Sequence, residues 1–286
     1  MISDEPLDIP PAPAPVERGG PLAAMAGHFM RFLKDEVAAG RLPENLLPLQ
    51  IGVGAAADAV VSFLGENFSG LTMYSETLGF GAMELLEKGI VTCASTGGIS
   101  APAEMLGSIM TDPERYRGRL IIRPTEITNN PEVIRRLGLI AMNNALEVDI
   151  YGNVNSTHVM GSRIISGIGG SCDFSRNAYL SVFFTLSTAK GGRLSSIVPF
   201  CSHIDSTEHD VKIVVTEYGV ADLRNCSPCE RAPKLIAIAH PDYRPMLQDY
   251  YERAVEKCAD GCGHTPHILS EALSWHVRAA ATGSMR

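Results

Sequence analysis

The sequence predicts an α/β fold built on a mostly parallel, buried sheet with flanking helices. Three observations lead there. Short apolar runs rich in Leu, Ile and Val recur along the chain, as strands buried on both faces require. They alternate with segments of helical periodicity, the pattern of βαβ units. A glycine turn, Gly52-Val53-Gly54, joins one such run to a helix and so forms the first half of a βαβ unit.

The elements follow in order. Residues 1–20 are Pro-rich and acidic, cannot build a core, and read as a disordered tail. The rest, 21–286, shows no internal repeat and no further boundary, and reads as one domain. Met25, Phe29, Phe32, Leu33 and Val37 share one helical face over Leu22–Ala39, and Gly40 stops it. Leu46–Val53 reads as a strand and Asp58–Leu64 as the helix after it. Leu71–Tyr74, Ile90–Ala94 and Leu120–Arg123 read as further strands, separated by helices over Gly81–Lys88 and Ala103–Met110. Pro131–Leu137 reads as a helix with proline suitably in its first turn. Beyond Ile140 the strands expected are Leu146–Tyr151, Ser156–Met160, Leu180–Thr185, Ser196–Phe200 and Lys212–Thr216. Pro228–Ile238 and Pro245–Lys257 read as helices, and the chain from Gly261 as weakly structured.

Composition excludes several function classes. Apolar residues make up 45% and charged residues 20% of the 286, ordinary values for a soluble globular protein. A net charge of -8 argues against nucleic acid or an acidic membrane surface as partner. No apolar run approaches the roughly 20 residues of a membrane helix. The first twenty residues resemble neither a signal nor a transit peptide, so a soluble, intracellular protein is expected. Seven cysteines scattered through apolar segments fit reduced thiols better than a disulfide framework. Cys226, Cys229, Cys258, Cys262 and His264 have some likeness to zinc-ligand pairs, but the unequal spacings favour unpaired thiols, and no metal site is assigned.

Glu76 follows an apolar strand, and ligands of open α/β sheets bind beyond the carboxyl ends of strands. A carboxylate there can act as a nucleophile, although spacing alone favours an ordinary solvated glutamate or a cap for the following helix. Three glycine clusters, 52–54, 167–170 and 191–192, can bring backbone N–H groups close to a ligand. The first has Ala57 at the third position of a dinucleotide fingerprint, which disfavours a nicotinamide cofactor. Polar runs at Glu126–Pro131 and Asp149–His158 join apolar segments. His158, His203 and His209 could serve as bases, but none accompanies a recognisable nucleophile.

At Gly40–Leu49, Asn153–Gly161, Gly167–Ser171, Thr207–Asp210, Thr216–Arg224 and His240–Pro245 the chain resembles the C-terminal half of the acetyl-CoA hydrolase/transferase family, which includes succinyl-CoA:acetate CoA-transferases. The likeness runs from about Ala24 to Trp275. It implies the class I CoA-transferase-like (NagB/RpiA/CoA-transferase-like) α/β fold. It implies that Glu76 is the nucleophile that forms a glutamyl-CoA thioester. Val53 and Gly170 would then supply oxyanion-binding N–H groups, with Asn129 and Glu217 as further active-site residues. Gly52, Val53, Gly54, Ala55, Ser166, Gly170 and Lys190 match CoA-contacting positions. The sequence departs from the usual pattern at Thr77–Phe80, at Ser166 and at Cys172. No cofactor is expected to be held permanently; the coenzyme A thioester is substrate. The expected activity is CoA transfer from acetyl-CoA or succinyl-CoA to a small carboxylate such as acetate. Alternatives are acetyl-CoA hydrolysis and a non-catalytic half-chain. Expected partners are an acyl-CoA and a carboxylate, with a homodimer or a complex with an N-terminal CoA-transferase domain. The expected compartment is the cytoplasm or the mitochondrial matrix.

Overall fold

A computed structural model describes residues 17–258 and 263–286. The sheet has eight strands: β1 (Leu49–Ile51), β2 (Leu71–Gly79), β3 (Val91–Ser100), β4 (Leu120–Ile122), β5 (Ile140–Asn144), β6 (Leu180–Phe184), β7 (Ile213–Thr216) and β8 (Gly219–Asp222). Their order is β8-β7-β6-β5-β1-β2-β3-β4. All neighbours are parallel except β7 and β8, which form a hairpin through the two-residue turn Glu217-Tyr218. Strand order therefore reverses at β1. The chain runs outward through β2, β3 and β4, then returns to place β5 on the other side of β1.

Helices cover both faces, as buried parallel strands require. On one face α1 (Pro21–Ala38), α2 (Ala55–Asn67) and α3 (Phe80–Glu87) pack on Ile140, Met142, Val182, Phe184, Ile213 and Val215. The alternate residues point the other way, as the period of two dictates. Ala141 packs with Phe174, Ala178 and Ile134, and so meets α6 (Pro131–Leu137) and α7 (Ser171–Asn177). Phe183 and Val214 join a second core with α8 (Pro228–Ala237), α9 (Arg244–Lys257) and α10 (Ser274–Thr282). Of the remaining helices, α4 (Ala103–Thr111) lies between β3 and β4 in the chain, and α5 (Thr125–Thr128) packs on β2 and β3. None of the described helices is long and apolar enough to cross a membrane.

Local chemistry explains the elements. α6 is capped by the Asn130 side chain, which accepts from the Glu132 N–H, begins on Pro131 and ends on Gly138 in the left-handed region. α8 starts with a Ser227/Glu230 capping box and contains Pro233. A proline has no N–H to offer the carbonyl four residues back. That carbonyl, on Cys229, accepts from the Tyr251 hydroxyl of α9 at 3.0 Å.

Several expectations are corrected. The strand expected over Leu46–Val53 is confined to Leu49–Ile51, and α2 starts three residues earlier than the apolar pattern implied. β2 runs to Gly79 because β3 pairs with it as far as Ser100, so Glu76 lies inside the strand and does not follow it. β5 is a central strand that was not expected, while Glu147–Asp149 and Ile197–Val198 pair in a separate small sheet. Ser156–Met160 contributes only the two-residue strand His158–Val159. The chain from Gly263 is described, and it is not weakly structured: α10 buries Trp275 and His276. The zinc-like pairing involving Cys262 and most of the expected N-terminal tail (1–16) lie outside the described residues; Glu17–Gly20 form a turn ahead of α1.

Two buried carboxylates join distant parts of the chain. Glu147 bonds to His276 of α10 at 2.7 Å, to both the N–H and the hydroxyl of Ser202 at 2.6 Å, and to Asn155 at 3.0 Å. Burial pushes its carboxyl up, but His276, Ser202 and Asn155 outweigh that and hold it below the usual range. Glu36, near the end of α1, accepts both arms of the Arg224 guanidinium at 2.7 and 2.9 Å and two further bonds from Arg41. Bonds from Arg224 and then Arg41 lower the Glu36 carboxyl from 4.5 to about 2 despite burial. A carboxyl depressed on folding contributes stability above its unfolded value, and loses it as pH falls through the folded one. Urea unfolding should therefore find Glu36→Gln less stable than wild type by about 2–3 kcal/mol at neutral pH. The gap should close between pH 4.5 and about 2, whereas a gap that stays constant across this window would contradict the assignment.

Candidate active site

Because β1 and β5 are neighbours whose chains depart in opposite directions, a crevice opens at their carboxyl ends. Gly52-Val53-Gly54 leaves β1 there and leads into α2. Its position is fixed by the Gly52 N–H, which donates to Met142 O at 2.8 Å, and by the Asn144 amide, which donates to Val53 O at 2.9 Å. The Val53 side chain is 57% exposed, and among the described residues its N–H has no partner. Beside this loop, β2 presents Glu76. The strand backbone at that point is held by the buried Thr96, whose hydroxyl lies 3.1 Å from Glu76 O.

The Gly167–Gly170 loop closes on the same carboxylate. The Gly170 N–H donates to Glu76 Oε2 at 2.8 Å. This contact explains the glycines. A Cβ at position 170 would lie 2.9 Å from Glu76 Oε2 and 2.5 Å from Asn129 Nδ2, and one at 169 would lie 3.2 Å from Oε2. Gly169 also has a φ of +50°. The carboxylate and the Asn129 amide thus rest on bare backbone. Thr128 donates to Asn129 Oδ1 at 3.0 Å, which turns Asn129 Nδ2 towards Gly170. Nearby, burial and then the Glu76 charge push the Asp173 carboxyl up.

The cavity over Glu76 measures about 220 Å³ and is also lined by Gly52, Val53, Ser166 and Gly167. That is room for a short acyl thioester but not for a whole nucleotide. A second cavity of about 280 Å³ lies against the same Gly52–Gly54 turn, walled by Phe80, Asp58 and Pro102. Burial raises the Asp58 carboxyl. Ala55 opens α2 directly after this turn.

Two residues that the resemblance groups with Glu76 make no bond to it and line neither cavity. Glu217 occupies the β7–β8 turn, three strands from β1, and accepts from the Ser187 N–H at 2.8 Å and hydroxyl at 2.5 Å. It bonds to none of Glu76, Asn129 and Gly170. Lys190 is exposed in a turn with φ +49°, and among the described residues its ammonium has no hydrogen-bond partner. Other cleft residues escaped the sequence reading. Gln50 donates to Asn143 at 3.2 Å, and Asn143 Nδ2 is buried without a partner. Asn144 and Ser156 also line the wall. The signal was present: Gln50, Asn143 and Asn144 are polar residues at the ends of apolar runs, where a buried strand has no structural use for them.

Comparison with known proteins gives a consistent result. Residues 109–251 match the profile of the acetyl-CoA hydrolase/transferase C-terminal domain. The chain is 51% identical over 265 residues to succinyl-CoA:acetate CoA-transferase of Clostridium kluyveri, covering 92% of this chain and 49% of that protein. It is 44% identical over 270 residues to acetyl-CoA hydrolase of Saccharomyces cerevisiae, covering 92% and 51%. Among solved structures it superposes on RipA from Yersinia pestis with a TM-score of 0.73 at 26% identity, covering 89% of this chain and 56% of that one. The corresponding values for 4-hydroxybutyrate CoA-transferase from Porphyromonas gingivalis are 0.64, 28%, 84% and 57%. The chain thus spans about half the length of the curated relatives it matches.

The glycine contacts predict a contrast between two substitutions. Gly170→Ala should destabilise the protein by about 1–3 kcal/mol, because the methyl group must displace Asn129 or Glu76. Gly167→Ala, with nothing within 4 Å, should cost under about 0.5 kcal/mol. Equal denaturation midpoints for the two variants would refute the close packing.

Proposed function

The chain belongs to the acetyl-CoA hydrolase/transferase family, and from that premise we propose that its cleft moves CoA between an acyl-CoA and a small carboxylate through Glu76. The observation that carries this reading is the Glu76 carboxylate, held by one oxygen on the Gly170 N–H at the crevice where the unpartnered Val53 N–H also lies.

Held by Oε2, the carboxylate keeps Oε1 for attack on the thioester carbonyl carbon. The carbonyl oxygen becomes an oxyanion, which the N–H groups of Val53 and Gly170 receive; each such donor typically contributes about 10²–10³ in rate. The Gly170 N–H must leave Glu76 to do so. The C–S bond breaks, giving an acyl-glutamyl anhydride and CoA thiolate. The thiolate attacks the glutamyl carbonyl, releases the acyl carboxylate and leaves a glutamyl-CoA thioester. An incoming carboxylate reverses the sequence, so the thioester energy is retained. Asn129 Nδ2, facing Gly170, orients the acyl or carboxylate oxygen. Glu217 acts indirectly, by holding the Ser187 segment beside β6. Gly52, Gly54, Ala55, Ser166 and Lys190 line the path for the rest of CoA, Lys190 as a point charge for a phosphate. The substrates fit an acetyl-CoA or succinyl-CoA donor and acetate as acceptor, in the cytoplasm or the mitochondrial matrix.

Hydrolysis is the second reading, favoured by the likeness to acetyl-CoA hydrolases. Water would then attack the anhydride or the glutamyl thioester. The chain also corresponds to only half of its relatives, and one edge supports a covering partner. α4 buries none of its residues, Met110 is 82% exposed, and Ile122 on the edge strand β4 is 62% exposed. An N-terminal CoA-transferase domain or a second copy of the chain would cover that edge, and the chain alone would then bind CoA without turnover.

One assay series separates these readings. With succinyl-CoA and acetate, the chain should form acetyl-CoA, Glu76→Ala should form none, and borohydride should trap a reduced adduct at Glu76. CoA release that does not depend on acetate would favour hydrolysis. Equal turnover by Glu76→Ala and wild type would exclude Glu76 as nucleophile.

A further inference from the structure

His158, His203 and Asp205 lie outside the proposed mechanism but against the wall of its cleft. We propose that they form a binding site for a divalent transition-metal ion, with zinc the best match to two imidazoles and one carboxylate. Each offers one donor atom, and the three atoms lie within 4.8 Å of one another. His203 Nε2 stands 3.2 Å from Asp205 Oδ1. Two ligands held at about 2.1 Å around a tetrahedral ion stand about 3.4 Å apart, so this pair already has the required separation. The rings of His158 and His203 lie against each other with centroids 3.8 Å apart and planes tilted by 32°, so an ion entering between their nitrogens would turn the rings apart.

The groups behind the cluster set it for an ion. Asp205 Oδ2 accepts from the N–H groups of Ser156 and Thr157 at 2.7 and 3.0 Å, which fixes the carboxylate. Thr157 Oγ1 lies 2.9 Å from Asp205 and 2.6 Å from His158 Nδ1. A carboxylate only accepts, so the hydroxyl proton goes to Asp205 and His158 Nδ1 must donate to the hydroxyl. Nε2 is then the nitrogen through which His158 would have to bind a metal. Orientation of a ligating histidine through its other nitrogen is the usual arrangement behind metal ligands.

The site would brace the cleft without entering its chemistry. Ser156, next to Thr157, and Ser171, next to Cys172, line the cavity over Glu76. Cys172 donates to the Asp205 carbonyl at 3.0 Å. An ion here would fasten residues 155–158 to 202–206, directly behind the loop that carries Gly170.

Zinc titration of the chelator-stripped chain, followed by calorimetry, tests the proposal. Wild type should bind one more equivalent, with Kd below about 10 μM, than either His203→Ala or His158→Gln, each checked for native circular dichroism. His209→Ala, an exposed histidine outside the cluster, should match wild type. Zinc held only by thiols would persist in both cluster variants. Equal numbers of tight equivalents in wild type and either cluster variant, none included, would overturn the proposal.

Discussion

Because β1 has β2 on one side and β5 on the other, the connections leaving these strands diverge, and neither can bridge the gap between them. The architecture near Glu76 follows from that divergence. Gly52–Gly54 and Asn143–Asn144 become the two lips of one crevice, although about ninety positions separate them in sequence. The neighbouring β2 then only has to continue past β1 to carry a side chain into the opening, and its pairing with β3 as far as Gly79 supplies that length. A strand ending at Tyr74, as the apolar run alone implied, would have left Glu76 on a flexible turn.

The approach of a charged side chain to unadorned backbone imposes the second constraint. From sequence, Gly169 and Gly170 are read as backbone N–H groups close to a ligand, and the contacts show them also as a surface on which Glu76 and Asn129 rest. Charge is otherwise handled by pairing. Glu36 takes two guanidinium groups and Glu147 takes a histidine, a serine and an asparagine, so each buried carboxylate has its oxygens satisfied. Glu76, with a single bond from a main-chain N–H, is held far more lightly. Such light restraint suits a group that has to move.

How much was legible depended on whether local chemistry carried the information. α6 could be read residue by residue, since Asn130, Pro131 and Gly138 specify its ends. The alternating α/β order and the glycine turn after β1 were likewise visible, whereas Val53, Asn129 and Gly170 were placed beside Glu76 only by the family resemblance. β5 was not visible, because Asn143 and Asn144 interrupt its apolar run, and their reason for being there is the cleft and not the strand. α10 was not, because its cap at Leu273 carries no side-chain signal and its buried face is defined only by the second core. The distance of Glu217 from Glu76 was also hidden: both sit near strand ends, and only sheet order reveals the strands between them.

The bond between Glu147 and His276 has a consequence for how the chain reaches its native state. Glu147 is buried beside Val148 of the second core, and one of its principal partners is the imidazole of His276 in α10, 129 residues downstream. On a ribosome, that core has no means of completing its charge pairing until residue 276 has emerged. Entropy of so long a loop must also be overcome before the contact forms, which places it among the slow, non-local steps. The first core waits as well: α1–α3 pack on Ile213 and Val215 of β7, and Glu36 pairs with Arg224, 188 residues further on. Each core is therefore closed by a contact with a late segment, the first by β7 and Arg224 and the second by His276.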